Sequence, residues 1–300
     1  FMLLISAFMH AKQKVVYFED YYKTGSSKYA TLVRAVADID GKRLILPSDS
    51  FDIGNLAIEG HKNFSIVGNS TIISCGDFTI KNSSDFEIKG IGIRGTVNKF
   101  AYFNIIGNCS NFKIHDCTFD SQKDVKGENM LYGIHVICDT SNPLKSYQNS
   151  PRHFSIYNNR VSNTRYDGIL LHANCSDFDV YHNNIENASC IGVEVEGRLG
   201  GMQNTTVRSC RNAKIYKNII RNCGDWGILL MWVDNINVCY NECLNNYGCF
   251  LSIGCKNAMI KQNCFEGTSK GFEISQEFYS LDKGVNDGVK IYNNIIEGPP

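Results

Sequence analysis

The chain has little proline, five residues in 300. Proline carries no backbone N–H, so its scarcity leaves almost every residue able to donate to a hydrogen-bonded ladder. An excess of charge of either sign is also lacking, with 30 Lys and Arg against 30 Asp and Glu. That balance removes the usual electrostatic basis for nucleic-acid binding, because phosphates recruit a cationic surface. No apolar run approaches the about 20 residues that a membrane-spanning helix needs. Thirteen cysteines occur without any CxxC pair of zinc spacing. A disulfide framework is not expected in so long a chain with a full core, so the cysteines read as small buried hydrophobes. The hydrophobic fraction of 43% excludes a disordered chain.

What is abundant is asparagine, 32 residues. Much Asn with little Pro implies many tight turns between segments that still pair through their backbones. The apolar opening FMLLISAFMHA, residues 1–11, reads as the remnant of a secretory signal. Residues 12–40 read as an N-terminal strand and a capping helix. Ser26 and Ser27 can cap a helix running to Asp38, with Leu32, Val33 and Val36 on one side. Residues 41–300 form the body, which stops just after a repeat unit and reads as truncated at its C-terminus.

The body is repetitive. An apolar residue, two variable residues and Asn recur as Ile66 to Asn69, Ile156 to Asn159, Val180 to Asn183, Ile215 to Asn218, Val238 to Asn241, Ile260 to Asn263 and Ile291 to Asn294. A second phrase starts with Gly and alternates apolar residues, at Gly133, Gly168, Gly192, Gly227, Gly248 and Gly271. Period-two alternation broken by Asn, Gly and Asp is the mark of short strands. A coil of such strands cannot bury its own apolar face, but a stack of coils makes a continuous core. The expected fold is all-β, a single-stranded parallel β-helix. Its recurring Asn can bond along the stack, tolerate a left-handed turn, or do both.

The Gly-Ile phrase followed by Ile-x-x-Asn-x-Ile resembles the right-handed parallel β-helix repeat of the pectate-lyase-like superfamily, over about residues 40–298. The resemblance implies a right-handed coil whose N-terminal end is plugged by the short helix. The Asn-Thr-Asp, double-Asp, Gly-His-Gly and Arg-Ile-Lys motifs of polygalacturonases are not matched. Tyr166-Asp167-Gly168 only echoes the first, and the Tyr-Gly-Phe-Asp-Pro-His stretch of mannuronan epimerases is absent.

Strand neighbours alternate faces, so the second and fourth residues after each Gly point outward. They are His135/Ile137, Leu170/His172, Glu194/Glu196, Leu229/Met231, Phe250/Ser252 and Glu273/Ser275. In register, His135, Leu170 and Glu194 form one column, and His172, Glu196 and Met231 the other. Residues 138–152, 197–210 and 276–287 are insertions that all leave the stack after the Gly strand, as walls beside this face. Arg165, Tyr166, Arg198, Trp226 and Trp232 lie on it or at its edge and, with His135, are the candidate substrate-binding residues.

Carboxylates, imidazoles and aromatic rings along a walled groove suit a sugar polymer. Glu194, Glu196, His172 and Asp167 are the candidate catalytic residues. The two Glu carboxyls, two residues apart, stand roughly 6–8 Å from each other. No cofactor is required; calcium between Glu194, Glu196 and His172 is an open alternative. The expected function is that of a secreted, periplasmic or cell-surface enzyme on polysaccharide, a glycoside hydrolase or polysaccharide lyase. As a lyase, His172 or Tyr166 would take the proton and Arg165 or Arg198 would neutralise a uronate carboxylate. The competing expectation is a non-catalytic glycan-binding, adhesin or tailspike-type module. Oligomeric state is left open.

Overall fold

The computed structural model describes residues 12–95, 99–120, 128–139, 149–197, 210–267, 270–275 and 286–298. The expected secretory remnant (1–11), Arg198 and most of the three insertions lie outside the described residues. The rest is a parallel β-helix of three faces. The first face runs from Lys14–Tyr17 to Lys290–Tyr292 and the second from Ser50–Asp52 to Ile295–Glu297. Two long strands, Lys62–Cys75 and Ser84–Gly95, turn the corner between them. The third face stacks Leu56–Glu59, Asp77–Lys81, Lys99–Ile106, Ile134–Ile137, Ile169–His172, Val193–Glu196, Trp226–Met231, Gly248–Ile253 and Lys270–Ser275.

Alternation drives the coil shut. Every second side chain points inward, and aligned repeats put like residues on top of one another. Phe64, Phe86, Phe112, Phe154 and Phe178 form one internal stack, with centroids 4.6–5.2 Å apart in successive near-parallel pairs. Each such buried ring contributes about 1.5–3 kcal/mol. Preceding each is Asn63, Asp85, Asn111, His153 or Asp177 at φ 53–57°, the left-handed region that Asn and Asp tolerate best.

The repeated asparagines are buried and bonded from coil to coil. The Oδ1 of Asn183 accepts both the backbone N–H and the Nδ2 of Asn159, each at 3.0 Å. Asn183 bears the same relation to Asn218, Asn218 to Asn241, and Asn241 to Asn263. Their left-handed turn is made by the preceding residue, at Asn158, His182, Lys217, Tyr240 and Gln262, and not by the asparagine itself. Asn69 departs from this pattern: the register shifts between Val67 and Thr71, and Asn69 is exposed.

The helix Lys28–Ala37 closes the N-terminal end. Ser27 Oγ accepts the N–H of Ala30 at 3.1 Å, and Leu32, Ala35 and Val36 are buried. Val33, expected on the buried side, is 39% exposed, because it lies about 100° round the helix from Leu32.

The Gly phrase marks the corner into the third face. A side chain on Gly168 would stand 2.5 Å from Ile185 Cγ2 and 2.7 Å from the Gly192 carbonyl. At Gly248 the sequence register is one residue out. Gly248 pairs with Trp226, so Phe250 and Ser252 point inward and Leu251 and Ile253 outward. Gly248 is needed beneath the Trp226 indole, whose ring would lie 2.3 Å from an added Cβ.

Candidate active site

The third face carries the expected columns. Leu170 is paired with His135 and Glu194, and His172 with Glu196, which in turn pairs with Met231. Four ionisable outward side chains thus sit on three adjacent strands.

Their environments differ sharply. Glu194 is hydrogen-bonded to Asp167 from the turn of the preceding coil. Asp167, 5% exposed, also accepts the N–H of Ile191 at 3.0 Å and engages the thiol of Cys190. Burial, then the charges of Asp167 and Glu196, push Glu194 up to about 9. Burial also raises Asp167. The two carboxyls share a hydrogen bond, and burial beside a second carboxyl favours the neutral form of Glu194. On the same strand, Glu196 Oε2 lies 3.2 Å from His172 Nε2, both side chains under 20% exposed. One strand therefore presents a carboxyl whose surroundings favour its neutral form and, two residues on, a second carboxyl facing an imidazole.

His135 completes the group. Its Nδ1 lies 3.2 Å from Asn104 Oδ1, an acceptor only, so Nδ1 carries the proton and Nε2 an open lone pair. Nε2 is buried and makes no hydrogen bond among the described residues. Burial, then the neighbouring His172, lower this imidazole to about 3, so it is neutral. The rings of His135 and His172 are 6.1 Å apart, and Tyr132 lies 5.0 Å from His135 and 6.0 Å from Tyr166. Tyr166 is 45% exposed and Arg165 is exposed, both at the rim.

The structure does not bring the tryptophans into this polar group as open platforms. Trp226 and Trp232 are 6% and 8% exposed. Trp226 packs with Ile191 and Leu229, flanked by Cys190, Met231 and Leu251, as an apolar patch next to Glu194. Two participants were not legible beforehand. Asn104 lies on a strand without the Gly phrase, and Cys190 meets Asp167 only across coils. Among the described residues, no group of three or more His, Cys, Asp or Glu is arranged to hold a metal ion.

No protein-family model matches the sequence, and no curated protein matches it either. Solved structures do. The A-module of the Azotobacter vinelandii mannuronan C-5 epimerase AlgE6 is 13% identical, with a TM-score of 0.66 over 94% of this chain and 87% of that one. PfbA, a surface adhesin of Streptococcus pneumoniae, is 13% identical, with a TM-score of 0.57 over 96% and 93%. The periplasmic alginate epimerase AlgG is 11% identical, with a TM-score of 0.55 over 85% and 75%. At such identities the likeness is one of fold, and with the parallel three-faced coil it makes this chain a right-handed parallel β-helix protein.

Proposed function

We propose that the protein is a glycoside hydrolase acting on a polysaccharide laid along the third face. The observation that carries this reading is the pair of carboxyls on Val193–Glu196 in unlike surroundings, Glu194 buried and bonded to Asp167 and Glu196 paired with His172. Two carboxyl groups whose surroundings drive them apart are the mark of an acid and a base. Glu194 donates its proton to the leaving glycosidic oxygen, and Asp167 positions it. Glu196, oriented by His172, takes a proton from the attacking water. Residues i and i+2 on a strand place these groups roughly 6–8 Å apart, which overlaps the about 6.5–9.5 Å of inverting enzymes. His135 lies in the floor beneath the sugar, and half-buried Met231 and Leu251, not the covered Trp226, offer it an apolar surface. Arg165 and Tyr166 contact the chain at the rim. Relatives in fold named as periplasmic or surface proteins support a location outside the cytoplasm.

The test is to incubate the protein with neutral and uronic-acid polysaccharides, following reducing ends and ultraviolet absorbance together. Reducing ends without absorbance, lost in Glu194→Gln/Glu196→Gln, are expected. Absorbance from an unsaturated uronate would replace the hydrolase by a lyase. Retention on one polymer in an affinity gel, without turnover and unchanged in the double variant, would replace it by a glycan-binding module.

A further inference from the structure

The second face holds an open depression of about 370 Å³, lined among others by Ile72, Gly92, Arg94, Asp116, Thr118 and Asp120. Its floor is one outward column, Ile72, Gly92 and Thr118, in strand register. Gly92 is the notch in that column. Glycine weakens a strand interior and often marks close approach by a ligand or another backbone. The corner glycines Gly133, Gly168, Gly192 and Gly227 of the third face are demanded by clashes, but Gly92 is not. A Cβ there would meet Thr71 O at 3.5 Å, Ile72 Cγ1 at 3.6 Å and Ile72 Cα at 3.9 Å, all ordinary contacts, and its φ is not positive. Among the described residues, no backbone approaches it more closely than these contacts.

The walls are polar and half engaged. Asp120 Oδ1 accepts from Ser162 Oγ and Asn163 Nδ2 at 2.8 and 2.9 Å, which fixes the carboxylate and leaves Oδ2 without a partner among the described residues. Asp116 Oδ2 is taken by His115, and Oδ1 is not. Arg94 Nε donates to Ser74 Oγ at 3.0 Å, and its terminal nitrogens have no partner among the described residues. Arg94 and Asp120 follow the paired Ile93 and Phe119, yet they form no ion pair with each other. Anchored acceptors and a donor thus surround a floor of methyl groups and bare backbone.

We propose that this depression is a second carbohydrate site, remote from the third face, that seats one pyranose unit of a glycan. The sugar's apolar face lies on Ile72, Gly92 and Thr118. Its hydroxyls donate to Asp116 and Asp120 and accept from Arg94. This assignment stands whether or not the third face is catalytic.

The experiment uses the full chain carrying Glu194→Gln/Glu196→Gln, so that nothing held on the third face is consumed. Amide NMR shifts are followed with tetrasaccharides of glucose, mannose, xylose, galactose and galacturonate. At least one should shift the amides of residues 90–94 and 116–120. Adding Gly92→Thr fills the notch with a side chain the strand accepts, and should weaken that binding by about tenfold or more with an equal or higher Tm. Asp120→Asn should weaken it too. The proposal is overturned if none of the sugars moves these amides, or if the Gly92→Thr protein binds as tightly as its parent.

Discussion

Two histidines on different faces of the same coil show how this fold separates support from chemistry. On the first face, His115 is 4% exposed and has a carboxylate at each ring nitrogen, Glu87 at 3.0 Å and Asp116 at 2.9 Å. Its ring starts a near-parallel outer stack with Tyr157, Tyr181 and Tyr216, centroids 4.5–4.9 Å apart. On the third face, His135 has one nitrogen bonded and one buried without a partner among the described residues. The same contrast holds for the acids. The hydrogen bond from His115 is the main cause that holds Glu87 below its ordinary value, whereas burial drives Glu194 up to about 9. A compensated ionisable group is structure. Groups left uncompensated in a cleft are costly to keep, and that cost points to function.

The largest effect that tests this contrast is on turnover. Glu194→Gln keeps a neutral donor to Asp167 but has no proton to give. It should lower kcat by about 10²–10⁴-fold, with Tm unchanged or raised at neutral pH. A comparable loss of kcat in Glu87→Gln would erase the distinction between the faces.

Next in size is the pH dependence of stability, in which the two third-face groups have opposite signs. Between about pH 4.5 and 9 folded Glu194 holds a proton that the unfolded chain has released, so this group's contribution falls as pH rises. His135, lowered from 6.5 to about 3, refuses a proton that the unfolded chain binds in that window. Its contribution therefore rises with pH from about 3 to 6.5. Denaturant midpoints across pH for wild type, Glu194→Gln and His135→Gln should show each variant losing its own slope. Parallel curves for all three would mean that neither group is perturbed.

Much of this face was legible in the sequence, because a period of two states which side chains point outward and the repeat states which share a column. His135, His172, Glu194 and Glu196 were found that way. What escaped depends on contacts between coils. Gly248 carries the repeat's signature residue but serves as the floor under Trp226, and Cys249 takes the place equivalent to Gly227. Asp167 reads locally as a turn residue before a glycine, and only stacking reveals its carboxyl against Glu194. The tryptophans looked like sugar platforms because aromatic character is local, while burial is not.

A smaller effect is expected on the first face. His115→Ala leaves Glu87, a side chain 25% exposed, without its imidazole. Losing a partner in a partly buried pair costs about 1–3 kcal/mol, seen as a lower Tm with kcat unchanged. If Tm held and kcat fell, the first face would be the reactive one.

The smallest effect falls in the middle of the tyrosine stack. Tyr181 sits between Tyr157 and Tyr216, at 4.9 and 4.8 Å and interplanar angles of 5°. Its hydroxyl makes no hydrogen bond among the described residues, so the ring and not the phenol oxygen is what the stack uses. Tyr181→Phe keeps the ring and should change stability by no more than about 0.5 kcal/mol. Tyr181→Ala opens a gap between two rings and removes two aromatic contacts of about 0.5–1.5 kcal/mol each. The two variants compared by thermal unfolding separate the contribution of stacking from that of the hydroxyl. A Phe variant as damaged as the Ala variant would show the row of hydroxyls to be engaged, and the first face would then no longer be support alone.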